Sequence, residues 1–376
     1  MCTSITINSK DGNTIVGRTM EYAKFLNSEV FFRPKGYQYV QDKLLLIEKF
    51  LQLGLPIDDL ESIDVKKLHT WEGLYSFIGM NSFKIDFAAN GMNSEGLVTG
   101  DMVLTVAEYQ DGKEASDNSV LWYPYLTNWI LSTCSSVEDV KNKLPEIVVT
   151  NPINEFTKDN PGFLMHFPVN DAQGNAIVIE FTDGKLQIHD NSDIGVLTND
   201  PVFPWQKLNL NNYSNITPFN QPAREGARFS VSCPSQGTGF SGLPANSTPV
   251  SRFVRAAMMV NYAYEPETTE ESVNLAVHVL NTIDIPFGTI REGIDANPLS
   301  EDSDLTQWLT ISDTQNLKYY IRMYGSPSFF VVDFKEVLES YVDNLSSLAN
   351  IKIAIPTKEN FAIDLTKSVS VPEPAL

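Results

Sequence analysis

Cys2 stands directly behind Met1, and a methionine followed by a small residue is ordinarily trimmed after synthesis. Trimming would leave a free thiol and a free α-amine on one residue. An α-amino group with an ordinary pKa of about 7.7–8.0 can act as a general base at neutral pH, so nucleophile and base would sit together. Met-Cys alone is a weak signal, because a cysteine is more often a small buried apolar side chain. The added weight comes from Gly17-Arg18-Thr19-Met20-Glu21-Tyr22. Residues 3–8 and 14–20 alternate like two short strands around the turn Asp11-Gly12-Asn13, a hairpin that would bring Cys2 opposite the end of the second strand. There Arg18 would favour the thiolate and Glu21 would hold the ammonium form of the amine. Without Cys2 opposite, both would be ordinary charged residues at a strand end.

Other motifs carry less chemistry. Gly237-Thr238-Gly239-Phe240-Ser241-Gly242 matches the dinucleotide-binding string, but Leu243-Pro244 follows where a phosphate-binding helix must begin. It reads as a Gly-rich loop. Leu243 also occupies the last glycine position of a serine-hydrolase nucleophile elbow. Cys2, Cys134 and Cys233 form no C-x-x-C pair, and His69, His166, His189 and His278 are too scattered for metal-ligand spacing, so neither a disulfide framework nor a metal is expected. Cys134 and Cys233 read as incidental thiols, and His166 as a strand residue.

The elements that must position Cys2 come in runs. Strands are predicted over 29–33, 75–79, 96–104, 162–169, 176–182, 185–189 and 195–198, and again over 305–312, 318–324 and 329–334. Helices are predicted over 119–143, with a fresh N-cap at Ser136, and over 251–263, 268–281 and 335–348; Thr268 with Glu271 forms a capping box. Such runs, without strict βαβ alternation, give an α+β fold with helix-covered sheets. One domain is expected over 1–368, with a surface insertion at about 43–69 and a loose tail at 369–376.

The 376 residues suffice for a large core, and 27 Lys plus Arg against 47 Asp plus Glu give a net charge of −20. That surface repels phosphate backbones and anionic lipid, so nucleic acid is a poor partner, and no apolar run is long enough for membrane insertion. With no secretory signal at the start, the chain reads as cytoplasmic; a leader removed from the natural chain would make it periplasmic.

The sequence resembles the choloylglycine hydrolases, which include bile salt hydrolases and penicillin V acylases. The resemblance runs through Met1-Cys2-Thr3, Asp11-Gly12-Asn13, Gly17-Arg18, 90–97 (NGMNSEGL), 135–140 (SSVEDV), 194–201 (IGVLTNDP), Gln236-Gly237-Thr238-Gly239 with Gly242-Leu243-Pro244, 248–253 (TPVSRF) and Asp304-Leu305-Thr306-Gln307. It implies the αββα four-layer sandwich of N-terminal-nucleophile hydrolases. It implies Cys2 as nucleophile with its own amine as base, Arg18 beside the thiol, Asn199 as an oxyanion-hole amide and Arg252 completing the charge environment. Two positions depart from the family pattern. Glu21 stands where an aspartate is usual, and Val103 stands where bile salt hydrolases have a second oxyanion-hole asparagine, leaving only its backbone N–H for that task.

The resulting expectation is an amidase cleaving a linear C–N bond of an N-acylated small molecule, without cofactor. Its acyl pocket is expected to be lined by Tyr22, Phe25, Met102, Leu104 and the insertion before His69. The alternatives are a bile salt hydrolase proper, an acylase with another leaving group such as a homoserine lactone or an ethanolamine, and a binding relative without activity. Relatives of this kind imply a homo-oligomer, a tetramer.

Overall fold

The structure is a computed structural model that describes residues 1–52, 64–152, 164–233, 235–291 and 303–356. The opening hairpin forms from β1 (Cys2–Asn8) and β2 (Thr14–Tyr22), with Cys2 opposite Met20 and Ser4 opposite Arg18. Further strands are β3 (Glu29–Arg33), β4 (Phe77–Ser82), β5 (Ile85–Asn93), β6 (Val98–Gly100), β7 (Met102–Val103), β8 (Met165–Asn170), β9 (Ala176–Thr182) and β10 (Lys185–Asp190). They continue with β11 (Val196–Leu197), β12 (Leu305–Asp313), β13 (Lys318–Met323), β14 (Phe330–Asp333) and β15 (Lys352–Ala354). Among the described residues these build a six-stranded sheet, ordered β11-β1-β2-β12-β13-β14, and a nine-stranded one, ordered β10-β9-β8-β6-β5-β4-β3-β15 with β7 beside β8.

The helices are α1 (Lys43–Gln52), α2 (Leu126–Thr133), α3 (Val137–Lys143), α4 (Phe203–Asn209), α5 (Pro249–Tyr262), α6 (Thr269–Asn281) and α7 (Phe334–Ser340). α5 and α6 pack on β1 and β2, and α2 packs on β5 and β6, giving helix, sheet, sheet, helix. Period-2 alternation assigns the core: Phe32 and Ile78 join Met20 and Trp308 between the sheets, whereas their neighbours Phe31 and Phe77 face α2 and α3 with Trp129 and Val137, and Ile5, beside Gly17 and Leu280, faces α6.

Several elements differ from expectation for identifiable reasons. Residues 119–143 are not helical throughout: Val120–Trp122 pairs in parallel with Val148–Thr150, and Pro124 opens a short 3-10 turn before α2. The expected strand over 96–104 breaks at Asp101, whose carbonyl accepts from Arg18 instead of a neighbouring strand. Its partner β5 is not among the expected strands: its Ala-Ala-Asn-Gly run has low β propensity, and pairing with β4 and β6 overrides that local preference. The expected last helix is α7 followed by a 3-10 segment, Val342–Asn350. The N-cap at Ser136 and the cap from Thr268 to the Glu271 N–H form as read. In the 43–69 stretch α1 buries Leu46 in the outer core beside Tyr125, while residues 53–63 and the tail at 369–376 lie outside the described residues. Among the described residues, no helix is long and apolar enough to cross a membrane.

Candidate active site

β1 and β2 place Cys2 and Arg18 on one face, because Ser4 pairs with Arg18 and residues two apart share a side. Arg18 Nη2 lies 3.4 Å from Cys2 Sγ. The guanidinium is buried, with Nη1 donating to the Ala89 carbonyl, Nη2 to the Asp101 carbonyl, and the Asp101 carboxylate 3.8 Å away. So held, it presents a fixed positive charge to the sulfur.

Gly100 makes room for this. A Cβ on Gly100 would collide with Arg18 Nη1 and fall 2.6 Å from the Ala89 carbonyl oxygen. Gly100→Ala should therefore push Arg18 off Cys2, lowering kcat/KM by about tenfold or more and stability by roughly 1–3 kcal/mol. Thermal melts and kcat/KM on one amide substrate check this; a variant matching wild type in both would show that the guanidinium is not fixed by this strand.

The Cys2 nitrogen is gathered from the opposite side. It donates to Asn199 Oδ1 at 2.8 Å, and the same oxygen accepts from Arg252 Nη2 at 2.8 Å. Arg252, fully buried in the first turns of α5, also donates from Nη1 to the Cys2 carbonyl at 2.5 Å and to Thr3 Oγ1 at 2.6 Å. Asn199 Nδ2 donates to the Val103 carbonyl at 2.9 Å. Leu104 N–H donates to the Leu164 carbonyl, so by antiparallel alternation Val103 turns both its N–H and C=O away from β8, toward the Asn199 side.

Glu21 pairs at the backbone with Met1: its N–H donates to the Met1 carbonyl at 2.8 Å and its carbonyl accepts from the Met1 amine at 2.6 Å. Its carboxyl is buried, with Oε1 accepting from Thr306 Oγ1 at 3.0 Å and Oε2 without a hydrogen-bond partner among the described residues. Burial raises its pKa, opposed by the charges of Arg252 and the chain's own N-terminus. A β-bulge between Thr306 and Trp308 frees Gln307 to clamp the following loop, accepting from Leu26 N–H and donating to the carbonyls of Tyr22 and Lys24. The Thr-Gln pair belongs to a block singled out in the sequence, but nothing in its residue types gave it a role.

A small pocket opens at the sulfur, lined by Met1, Cys2, Met20, Glu21, Tyr22, Leu26, Ser82, Asp101, Val103 and Met165. Of the residues expected to line it, Tyr22 does so. Phe25 does not; it points to solvent at 64% exposure. Met102 and Leu104 flank Val103 on a two-residue period, so they turn into the core while Val103 faces the pocket. The described part of the insertion packs beside Tyr125 in the outer core and does not reach this pocket. Leu26, Ser82 and Met165 come from separate stretches of chain, and only the folded sheets bring them together.

The other thiols are elsewhere. Cys134 is buried, which pushes its thiol up to about 12, and Cys233 lies on a loop against the Gln221 carbonyl.

The choloylglycine hydrolase family, described as linear amide C-N hydrolases, matches residues 2–346. The bile salt hydrolase/transferase of Clostridium perfringens (strain 13 / Type A) is 30% identical over 342 residues, covering 89% of this chain and 93% of that protein. A solved structure of a variant of the conjugated bile acid hydrolase from Clostridium perfringens superposes with a TM-score of 0.75 at 25% identity, over 97% of this chain and 99% of that one. The penicillin V acylase structure from Agrobacterium tumefaciens shares the fold with a TM-score of 0.66 at 18% identity, over 89% and 87% of the two chains. The four layers are thus the αββα sandwich of N-terminal-nucleophile hydrolases, and the chain belongs to the choloylglycine hydrolase family, enzymes that hydrolyse linear amide C–N bonds.

Proposed function

We propose that this hydrolase cleaves N-acylated small molecules through Cys2, once removal of Met1 has made Cys2 the N-terminal residue. The observation that carries this reading is the arrangement around one residue. Its sulfur meets Arg18 at 3.4 Å, its nitrogen meets Asn199 at 2.8 Å, and Met1 itself forms part of the pocket wall. Loss of Met1 would convert an amide nitrogen, which cannot take up a proton, into an amine that can. It would also clear space for an acyl group.

In this mechanism the thiolate attacks the amide carbon while the α-amine carries the thiol proton. The second N–H of Asn199 Nδ2 and the Val103 N–H hold the oxyanion, each donor contributing ~2.7–4 kcal/mol. The ammonium protonates the leaving amine, and the neutral amine then activates the water that opens the thioester. Glu21 and Arg252 fix the electrostatics of the nitrogen. Active protein should therefore lack Met1 by intact-mass measurement. An active sample retaining Met1 throughout would remove the base from this mechanism, and a binding relative without activity would be free to keep it.

The substrate reading follows from the pocket. Asp101 lines it, and among the described residues none of its lining is lysine or arginine, while the nearby Arg18 already has Asp101 beside it; Glu21 contributes to the wall, but its carboxyl turns to the other face of β2, against Thr306. An anionic group next to the scissile amide meets like charge there. Neutral aliphatic or aromatic acyl amides are the preferred class. The 30% identity to a bile salt hydrolase/transferase favours the second reading, bile salt conjugates. Rates on a medium-chain acyl homoserine lactone, penicillin V and glycocholate, at one pH and salt, separate them: glycocholate should have the lowest kcat/KM. Glycocholate faster by about tenfold, ~1.4 kcal/mol in the transition state, would establish the second reading.

A further inference from the structure

We propose that His166 is a buried imidazolium which, paired with Glu180, clamps the Thr198 carbonyl and so positions Asn199 against Cys2. The proposal rests on the amidase reading for its consequence, and on donor and acceptor counting for its chemistry.

His166 lies on β8 and is fully buried. Its Nε2 is 2.8 Å from the Thr198 carbonyl oxygen, which can only accept, so Nε2 carries a proton. Its Nδ1 is 3.0 Å from Glu180 Oε1. That oxygen also accepts the Phe203 N–H at 2.8 Å, at the start of α4, and with the carboxyl ionised it can only accept from Nδ1 as well. Both ring nitrogens therefore donate, and a ring with two N–H groups is cationic. Burial alone would raise the Glu180 carboxyl, but the hydrogen bond and charge of His166, the adjacent His189 ring and the Phe203 N–H bring it down to about 2, so its charge is present at neutral pH. His189 Nε2 stands 3.5 Å from Glu180 Oε2, within ion-pair reach but outside hydrogen-bond geometry.

The clamp acts on the residue next to Asn199. Thr198 is held from the other side by its own hydroxyl, which donates to the Pro249 carbonyl at 3.0 Å, just ahead of Arg252 on α5. Gln206 of α4 donates to the carbonyls of Asn199 and Asp200. The segment carrying the oxyanion-hole amide is thus pinned between β8, α4 and α5, and the charge-assisted bond from His166 is the strong one. His166 touches neither Cys2 nor the pocket; it is a positioning residue.

Two measurements test this. With histidine-selective 15N labelling, the four histidines give four ring systems. His166 can be assigned by removing His69, His189 and His278 in turn. Near neutral pH both of its nitrogens should be protonated; a single protonated nitrogen overturns the imidazolium, and this arm needs no variant of the clamp to fold and no substrate. In Glu180→Gln, which keeps the shape and removes the counter-charge, kcat should fall about tenfold or more with KM little changed. Alkylation of Cys2 by iodoacetamide, which builds no oxyanion, should stay within about twofold of wild type. Unchanged kcat in that variant overturns the positioning role. If the wild type cleaves no amide at all, the amidase reading fails, while the nitrogen spectrum still decides the charge of the ring.

Discussion

Replacing Cys2 with alanine is expected to abolish amide turnover, a loss on the order of a million-fold if the uncatalysed background is all that remains. The argument is one of elimination by environment as well as of geometry. Cys134 is sealed in the outer core with its thiol pushed up to about 12, so it supplies almost no thiolate near neutral pH. Cys233 sits on a loop between Gln221 and Thr238, away from the residues that line the pocket. Cys2 alone among the three meets a guanidinium, at 3.4 Å, and opens onto the pocket. Cys2→Ser should leave a small residual rate, because the hydroxyl fits the same space but gives a far weaker nucleophile at neutral pH. Cys134→Ala and Cys233→Ala should retain nearly full kcat/KM. Should either be as inactive as Cys2→Ala, the nucleophile has been assigned to the wrong sulfur.

The proposed nucleophile and its cation are readable in the sequence because they are local. Cys2 and Arg18 are joined by a seven-residue strand, a turn and a second strand, and a hairpin has one register compatible with burying Ile5, Ile7, Ile15 and Val16. Asn199 and Arg252 stood in recognisable blocks, but their bonds to the Cys2 backbone span 197 and 250 residues, distances over which no periodicity speaks. Pocket walls were read worst. Extending a pocket by sequence neighbours fails in two ways: Phe25 lies past the end of β2, in the loop held by Gln307, and Met102 and Leu104 flank Val103 where the strand turns alternate side chains to opposite faces. His166 shows the converse. As a lone histidine on an apolar strand it looked merely structural, and its two acceptors, Thr198 and Glu180, become visible only when β9 and the segment after β11 fold around it.

The second large effect is expected at Asn199, where, on the proposed mechanism, one side chain serves two tasks that different substitutions separate. Its oxygen takes the Cys2 N–H and Arg252 Nη2, each at 2.8 Å, and its amide nitrogen has one hydrogen on the Val103 carbonyl and another available for an oxyanion. Asn199→Ala deletes all of this. It should cut kcat by about 10²–10³, the scale of losing one oxyanion donor, and cost roughly 1–3 kcal/mol of stability, because buried donors on Cys2 and Arg252 lose their acceptor. Asn199→Asp restores an acceptor for both donors and adds an ion pair to Arg252, so its melting temperature should fall less than that of the alanine variant. Yet the carboxylate donates nothing and opposes the charge that develops on the substrate oxygen, so kcat should fall at least as far as in Asn199→Ala. Saturating kinetics and thermal melts on the pair read the two tasks independently. An aspartate variant turning over at the wild-type rate would remove Asn199 from the oxyanion hole and leave it only the task of holding the Cys2 nitrogen.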